Sequence, residues 1–547
     1  MKFLSLKVFP LSGVLLLAAC AGVPSSTVPQ PDKQGCTALQ GWQLAAADVG
    51  LPTSGAKVDS ADWLTVPAGQ GDYCRVQGRI LPVDPAAPPI RFDLGLPAGW
   101  NGKSLHLGGG GYNGTVIVAT GDVPAPPLDM PSPLARGYAV FGSDSGHEAA
   151  PPYTADPATR SLDGRFLQND EALRNFAGDA LKKTRDVATA LQITFYGKPP
   201  TRRYFAGGST GGREALAVVQ RWPDDYDGAI SAYPAWNAAT LDLAFGRISR
   251  AMARPGAYLD PAAQALLYQA QISACDADDG VRDGLISHPE ACRFTPIKLR
   301  CARGKTPGAQ CLSDAQIAAV TTMATPLTLR YPVASGEKGY PGFNVLSGAD
   351  LRGFLGWGEQ APTSPGQLGQ PYMAQFWDSW VRYAVTRDPG FDALSLDPAQ
   401  PGSRTARISA LTGLQDVNQT DLSRFAGRGG KLIVLHGAAD ALVSTRATID
   451  YMGRVRARMG EPTATEFSRF YVVPGYGHVF GAFLASWDSL TALDRWVVDG
   501  VVPAQQIVAD ANSATRGRSR PLCEYPAWPR YRSGDVNAAS SFACVRD

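Results

Sequence analysis

The tightest constraint on the fold is the stretch Tyr204-Phe205-Ala206-Gly207-Gly208-Ser209-Thr210-Gly211-Gly212-Arg213-Glu214-Ala215-Leu216. Its centre, Gly207 to Gly211, is G-x-S-x-G. A short aromatic strand precedes it. A helical run follows, with Ala215, Leu216, Val218, Val219 and Trp222 expected on one side and Pro223 as its stop. A strand, a sharp turn and a helix form the context in which a serine is lifted above a parallel sheet. Small residues must flank the serine because such a turn brings backbone against backbone. A bare G-x-S-x-G also occurs in ordinary glycine-rich turns, so the assignment depends on partners elsewhere in the chain.

A nucleophilic serine needs a base, and the base needs an orienting carboxylate. The chain has 5 histidines, so elimination is possible. His106 lies in a strand, His147 follows Gly142-Ser143-Asp144-Ser145-Gly146 as a loop brace, His288 sits among cysteines and His436 closes a strand. His478, in Pro474-Gly475-Tyr476-Gly477-His478, alone follows both the serine and the last strongly apolar strand. Asp440 lies between the two on a loop after the strand Lys431–His436. Its competitors fall in a helix (Asp450) and in the loop after it (Glu461). The order serine, acid, histidine, with each partner at a strand end, is that of an α/β-hydrolase. The expected catalytic set is therefore Ser209, Asp440 and His478. Two amides are expected to form an oxyanion hole: Thr210, directly after the serine, and one from the run Gly108-Gly109-Gly110-Gly111. Gly110 is chosen there, with Gly109 and Gly111 close behind.

The rest of the chain fits one α/β domain split by an insertion. Strands are expected at 90–96, 104–107, 137–142, 431–436 and 470–473, and helices at 171–191 and 445–459. From about 236 to 420 the strand–helix alternation stops, and short helices (Pro261–Cys275, Ser313–Met323) alternate with glycine- and proline-rich loops. The reading is an α/β-hydrolase fold with residues 36–235 as its first part, a lid domain at 236–420 and residues 421–547 as its second part. Charged residues are 18% of the chain and the net charge is +2, which offers no footing for nucleic acid.

Residues 1–19 read as an export signal. Lys2 and Lys7 precede an apolar run that is too short to span a bilayer. The ending Leu17-Ala18-Ala19-Cys20 resembles a bacterial lipobox, which makes Cys20 the lipidated N-terminus and residues 20–35 a tether. Simple cleavage at the small residues is the alternative. The expected location is the periplasm or cell surface, anchored in a bacterial, preferentially outer, membrane. No other membrane contact is expected, and the enzyme is read as a monomer. Eight cysteines remain, an even number for an oxidising compartment. Their clustering points to Cys36–Cys74, Cys275–Cys292, Cys301–Cys311 and Cys523–Cys544. A zinc site is the weaker reading, since no C-x-x-C occurs. Within the lid, Asp276 to Leu285 alternates acids with glycines, a pattern that suits Ca2+ bound through oxygens; a solvated acidic turn is the alternative.

Taken together, the chain resembles the tannase and feruloyl esterase family, which includes mono(2-hydroxyethyl) terephthalate hydrolases. The resemblance runs from about Cys36 to Cys544. It rests on Trp100-Asn101-Gly102-Lys103, Gly111-Tyr112-Asn113-Gly114, Ser143 to His147, Gly207 to Gly212, Cys275 to Leu285, His436 to Ser444 and Arg520 to Cys523. It implies esters of aromatic acids (feruloyl, galloyl or terephthalate-type) as substrates and a structural lid calcium. The calcium would be held by Asp276, Asp279, Asp283 and the carbonyls of Val281 and Leu285. The chain departs from the family where relatives place a disulfide beside the serine and histidine: here stand Gly208 and Val479. Two other readings remain at this stage, a serine peptidase on the same scaffold and a non-catalytic, calcium-dependent surface-binding lipoprotein. Trp357, Phe354 and Tyr372 are the guesses for the acyl pocket.

Overall fold

A computed structural model describes residues 1–2, 31–66 and 71–546. The expected lipidation site, Cys20, lies outside the described residues, as does most of the signal segment. Ten strands form one mixed sheet. In chain order they are β1 (Gln43–Leu44), β2 (Ala56–Thr65), β3 (Asp72–Ile80), β4 (Ile90–Pro97), β5 (Lys103–Leu107), β6 (Ala139–Ser143), β7 (Arg202–Gly208), β8 (Gly228–Ala232), β9 (Lys431–Gly437) and β10 (Ser468–Val473). Their spatial order is 1-2-3-4-6-5-7-8-9-10. β1 to β4 are antiparallel, and β4 meets β6 antiparallel. From β6 through β10 every pairing is parallel. Central parallel strands are covered on both faces, so their side chains are apolar without alternation. Tyr204, Phe205 and Ala206 of β7 and Leu432 to Leu435 of β9 are all buried.

The main helices are α1 (Ala180–Tyr196), α2 (Thr210–Arg221), α3 (Ala238–Met252), α4 (Pro261–Cys275), α5 (Asp314–Ala324), α6 (Tyr372–Ser379), α7 (Thr405–Gln415), α8 (Thr445–Met459) and α9 (Ser489–Asp499). β8 and β9 are neighbours in the sheet although α3 to α7 lie between them in sequence. This inserted segment shares its core with the sheet: Trp236, Phe245, Trp377 and Trp380 belong to the same buried cluster as Leu432, Val434 and Phe470. Among the described residues no helix is long and apolar enough to cross a membrane.

Several local expectations need correction. The helix expected over 171–191 is broken. Asp170–Arg174 is α-helical, Asn175–Asp179 forms a wider π-turn, and α1 begins at Ala180. Gly178 sits inside the break at φ 147°, outside helical space. The carbonyls freed by the wider turn are taken by arginines: Arg213 donates to Phe176 O and Arg221 to Ala177 O, each at 2.7 Å. α2 is buried on every side from Thr210 to Val219, not on one face. Helices α3, α6 and α7 in the insertion, and the strands β1 to β3, were not expected. A helical turn, Lys33–Thr37, already begins within the expected tether and is tied down by Cys36. The four disulfides pair as expected: Cys36–Cys74, Cys275–Cys292, Cys301–Cys311 and Cys523–Cys544.

Candidate active site

Ser209 stands between β7 and α2 with φ 60° and ψ −119°, a conformation costly for a side-chain-bearing residue. The turn is enforced by close backbone packing. A Cβ on Gly207 would come within 2.5 Å of the Gly211 carbonyl carbon, and one on Gly211 within 2.7 Å of Gly109 O. The Ser209 N–H donates to Ala232 O at 3.0 Å, which ties the elbow to the end of β8. Tyr233 and Val479, both beside the serine, also have positive φ. Strain of this kind concentrates where a scaffold holds reacting groups.

Three expected residues form one hydrogen-bonded line. His478 Nε2 lies 2.9 Å from Ser209 Oγ, and His478 Nδ1 lies 2.8 Å from Asp440 Oδ2. Asp440 is fully buried. Its Oδ1 accepts the Leu442 and Val443 amides, each at 2.8 Å. Burial alone would raise its carboxyl, but His478 and His436 outweigh that and hold it below the usual carboxylate range. His436 had seemed only to close a strand. Its Nε2 reaches Asp440 Oδ2 at 3.3 Å and Val443 O at 3.1 Å, and its Nδ1 meets Thr448 Oγ1 at 2.9 Å. The only sequence sign of this support is the four-residue spacing from His436 to Asp440.

The amides near the serine are unequal. Among the described residues the Thr210 N–H has no hydrogen-bond partner, and its side chain donates to Gly111 O at 2.6 Å. Gly109 N–H is held by the buried Glu214 carboxylate at 2.9 Å. Gly110 N–H, the expected second donor, is instead given to Asn113 Oδ1 at 2.5 Å, because Asn113 folds back over residues 110–113 and donates its own N–H to Gly110 O. Gly111 N–H is the open amide of this run.

Tyr233, for which the sequence offered no signal, braces the histidine. Its ring meets His478 edge to face at a centroid distance of 4.9 Å and an angle of 68°. It also fills the space over Gly208, where a Cβ would lie 2.6 Å from Tyr233 Cζ.

Ser209 opens into a cavity of about 420 Å³ lined by apolar and aromatic side chains, among them Phe176, Leu241, Phe245, Tyr372 and Phe376. Of the three pocket guesses, Tyr372 lines this cavity. Phe354 lines an adjoining one of about 320 Å³ and meets Tyr372 edge to face. Trp357 is buried in the insertion with its Nε1 on Met323 Sδ. His147, the expected loop brace, is buried and stacked on Phe166 at 3.5 Å.

The acidic loop is compact. Asp276 accepts the Asp283 and Gly284 amides, Asp279 Oδ1 accepts Val281 N–H, and Asp283 pairs with Arg520. Asp279 Oδ2 is buried, with the Ser287 hydroxyl as its neighbour. Among the described residues no three His, Cys, Asp or Glu side chains converge with the spacing of a metal site.

Comparison with known proteins adds four findings. The family profile described as tannase and feruloyl esterase matches residues 74–545. An uncharacterized esterase of Agrobacterium fabrum is 39% identical over 98% of this chain and 98% of its own. The mono(2-hydroxyethyl) terephthalate hydrolase of Piscinibacter sakaiensis is 30% identical over 95% of this chain and 92% of its own. The crystal structure of feruloyl esterase B from Aspergillus oryzae superposes with a TM-score of 0.74, covering 92% of this chain and 98% of that one; at 23% identity this likeness speaks for the fold.

Proposed function

Because the chain belongs to the tannase and feruloyl esterase family and is a carboxylic ester hydrolase, we propose that Ser209, His478 and Asp440 are its catalytic triad, acting on esters of aromatic acids. The observation that carries this reading is the unbroken line from Ser209 Oγ through His478 to Asp440 at 2.9 and 2.8 Å. Ser209 Oγ attacks the acyl carbon while His478 Nε2 takes its proton. The carbonyl oxygen becomes an oxyanion that meets the open Thr210 N–H. The glycine run supplies the second donor, either through Gly111 or through Gly110 once Asn113 releases it. The C–O bond to the alcohol then breaks, and His478 returns the proton to the departing oxygen. Water then attacks the acyl carbon while His478 Nε2 takes its proton, the bond from that carbon to Ser209 Oγ breaks, and His478 returns the proton to Oγ, which frees the acid. Asp440 keeps Nδ1 protonated and stabilises the imidazolium; His436 and two amides keep Asp440 in place.

The aromatic lining of the cavity supports an aromatic acyl group. Family membership lends the peptidase reading nothing, and the intact triad lends nothing to a non-catalytic scaffold. We also propose a calcium ion on the Asp276–Leu285 loop. The buried Asp279 Oδ2, which has only the Ser287 hydroxyl beside it among the described residues, supports it. The pairing of Asp283 with Arg520 means that the ion would have to share that carboxylate. Export, lipid attachment at Cys20 and a monomeric state complete the reading; four disulfides suit an oxidising compartment.

The test is turnover of methyl ferulate and methyl gallate against peptide anilides by the wild type and by Ser209→Ala. Ester hydrolysis lost in a folded Ser209→Ala, on the order of 10⁴–10⁶-fold, is expected. Wild-type ester turnover by that variant would refute the assignment.

A further inference from the structure

The acyl cavity holds a feature that ester hydrolysis alone does not require. The face of α3 that lines it is Ala238, Leu241, Asp242 and Phe245, a spacing that puts all four on one stripe of a helix. A carboxyl in the middle of an apolar stripe is costly unless it meets a partner. Asp242 is only 5% exposed, and among the described residues no donor hydrogen-bonds to it. The contrast with nearby Asp416 is sharp: that carboxylate accepts Ala239 N–H, Thr240 N–H and Thr240 Oγ. Gln415, also buried and lining the cavity, accepts from Trp380 Nε1 at 3.0 Å. Its amide N–H groups have no acceptor among the described residues. The cavity therefore presents an unpartnered carboxyl and an unpartnered amide donor.

Asp242 lines the same cavity as Ser209 and His478. Burial first and the Asp416 carboxylate second push its carboxyl well above the usual range, against the pull of Arg213. No lysine or arginine side chain lines the cavity. A ring hydroxyl, at once donor and acceptor, matches a cavity that offers both a carboxyl and an amide. A second carboxylate on the acyl group would enter an apolar space with no cation to balance it.

We propose that Asp242, together with the Gln415 amide, is the specificity-determining pair that reads a hydroxyl on the aromatic ring of the acyl group and excludes acids bearing a second ionised carboxyl. This rests on the reading of Ser209 as the nucleophile of an aromatic esterase. A site built to hydrogen-bond a hydroxyl discriminates strongly against the analogue lacking it, because its own polar groups are then stranded.

The experiment compares kcat/KM for methyl 4-hydroxybenzoate against methyl benzoate, methyl 4-hydroxycinnamate against methyl cinnamate, and dimethyl terephthalate against its monomethyl ester. The hydroxylated member of at least one pair should be favoured by about 10–100-fold, and the neutral diester should exceed the monoanion at least about tenfold. Asp242→Leu should collapse the hydroxyl preference to near unity, and Asp242→Asn should keep part of it. Equal turnover within each hydroxyl pair by the wild type would overturn the proposal, as would an Asp242→Leu that melts like the wild type and keeps the preference. If Asp242→Leu does not fold, the wild-type series decides alone. Turnover of no ester at all would instead reject the esterase reading on which the proposal stands.

Discussion

Replacing Gly208 with alanine should damage turnover through Tyr233, the ring that packs on His478. A Cβ built at Gly208 lies 2.6 Å from Tyr233 Cζ, whereas ordinary contact begins near 3.4 Å. The nearest ring carbon, Cε2, is at 2.5 Å, so the ring must retreat by about 0.9 Å. Its neighbours leave it little room: Tyr233 packs edge to face on His478 at 4.9 Å and on Tyr476 at 6.0 Å, and its backbone is pinned to Leu435 O at 2.6 Å. Part of the shift should pass to the imidazole. Overpacking a close-packed site costs about 1–3 kcal/mol, and a misplacement near 1 Å at a reacting group costs about 10²-fold in rate. The expected result is a fall in kcat of about 10–100-fold with KM within about threefold. The assay is steady-state hydrolysis of a methyl ester by the folded variant, repeated in Gly208→Ala with Tyr233→Ala. The double variant should recover part of the loss, because the clash is gone, although His478 then lacks its brace. An unchanged kcat in Gly208→Ala, or a double variant worse than the sum of the singles, would refute the idea that Tyr233 carries the strain to His478. The same geometry bears on a cysteine pair at 208 and 479: the Tyr233 ring stands where a side chain from Gly208 would go.

Two further outcomes are expected. Asp440→Asn should lower kcat by about 10³–10⁴-fold while KM stays close to wild type, since the fold survives but His478 loses its tautomer; a loss below about tenfold in methyl-ester turnover would remove Asp440 from the triad. Calcium should raise the melting temperature more at pH 7.5 than at pH 5. Burial raises the Asp279 carboxyl to about 6, so the folded loop holds a proton that the unfolded chain has already released; without the ion, stability falls as pH rises from about 4 to 6. The ion binds the deprotonated loop, so its contribution grows over that same window. A calorimetric scan showing no shift with calcium or EDTA at either pH would contradict the site.

The triad residues were legible in the sequence because chemistry confines them to strand ends in a fixed order, and few histidines competed. The disulfides were legible because each pair closes a short local loop. What stayed hidden depends on contacts between distant segments. Tyr233 matters through its ring against Gly208 and His478, and nothing in Ala232-Tyr233-Pro234 announces it. Nothing in the sequence marks Asp242 until α3 forms and its face folds onto the cavity. The glycine run gives no sign that the Asn113 side chain folds back onto the Gly110 amide. The π-turn at Asn175–Asp179 escaped because its apolar spacing is helical, while the arginines that take its freed carbonyls stand on α2. Of the first strands, β3 alternates buried Cys74, Val76, Gly78 and Ile80 with half-exposed Arg75, Gln77 and Arg79, a legible pattern, whereas in β2 a bulge between Val58 and Ser60 and the more exposed residues beyond it break the period.

The most direct measurement of the central claim is peptide mapping after diethyl p-nitrophenyl phosphate treatment of the intact enzyme. The reagent phosphorylates only a serine activated by a neighbouring base. The account predicts a single adduct on the peptide containing Ser209, formed in step with loss of ester hydrolysis and greatly slowed in His478→Ala. Complete inactivation with Ser209 unmodified, or rapid labelling of Ser209 without His478, would contradict it.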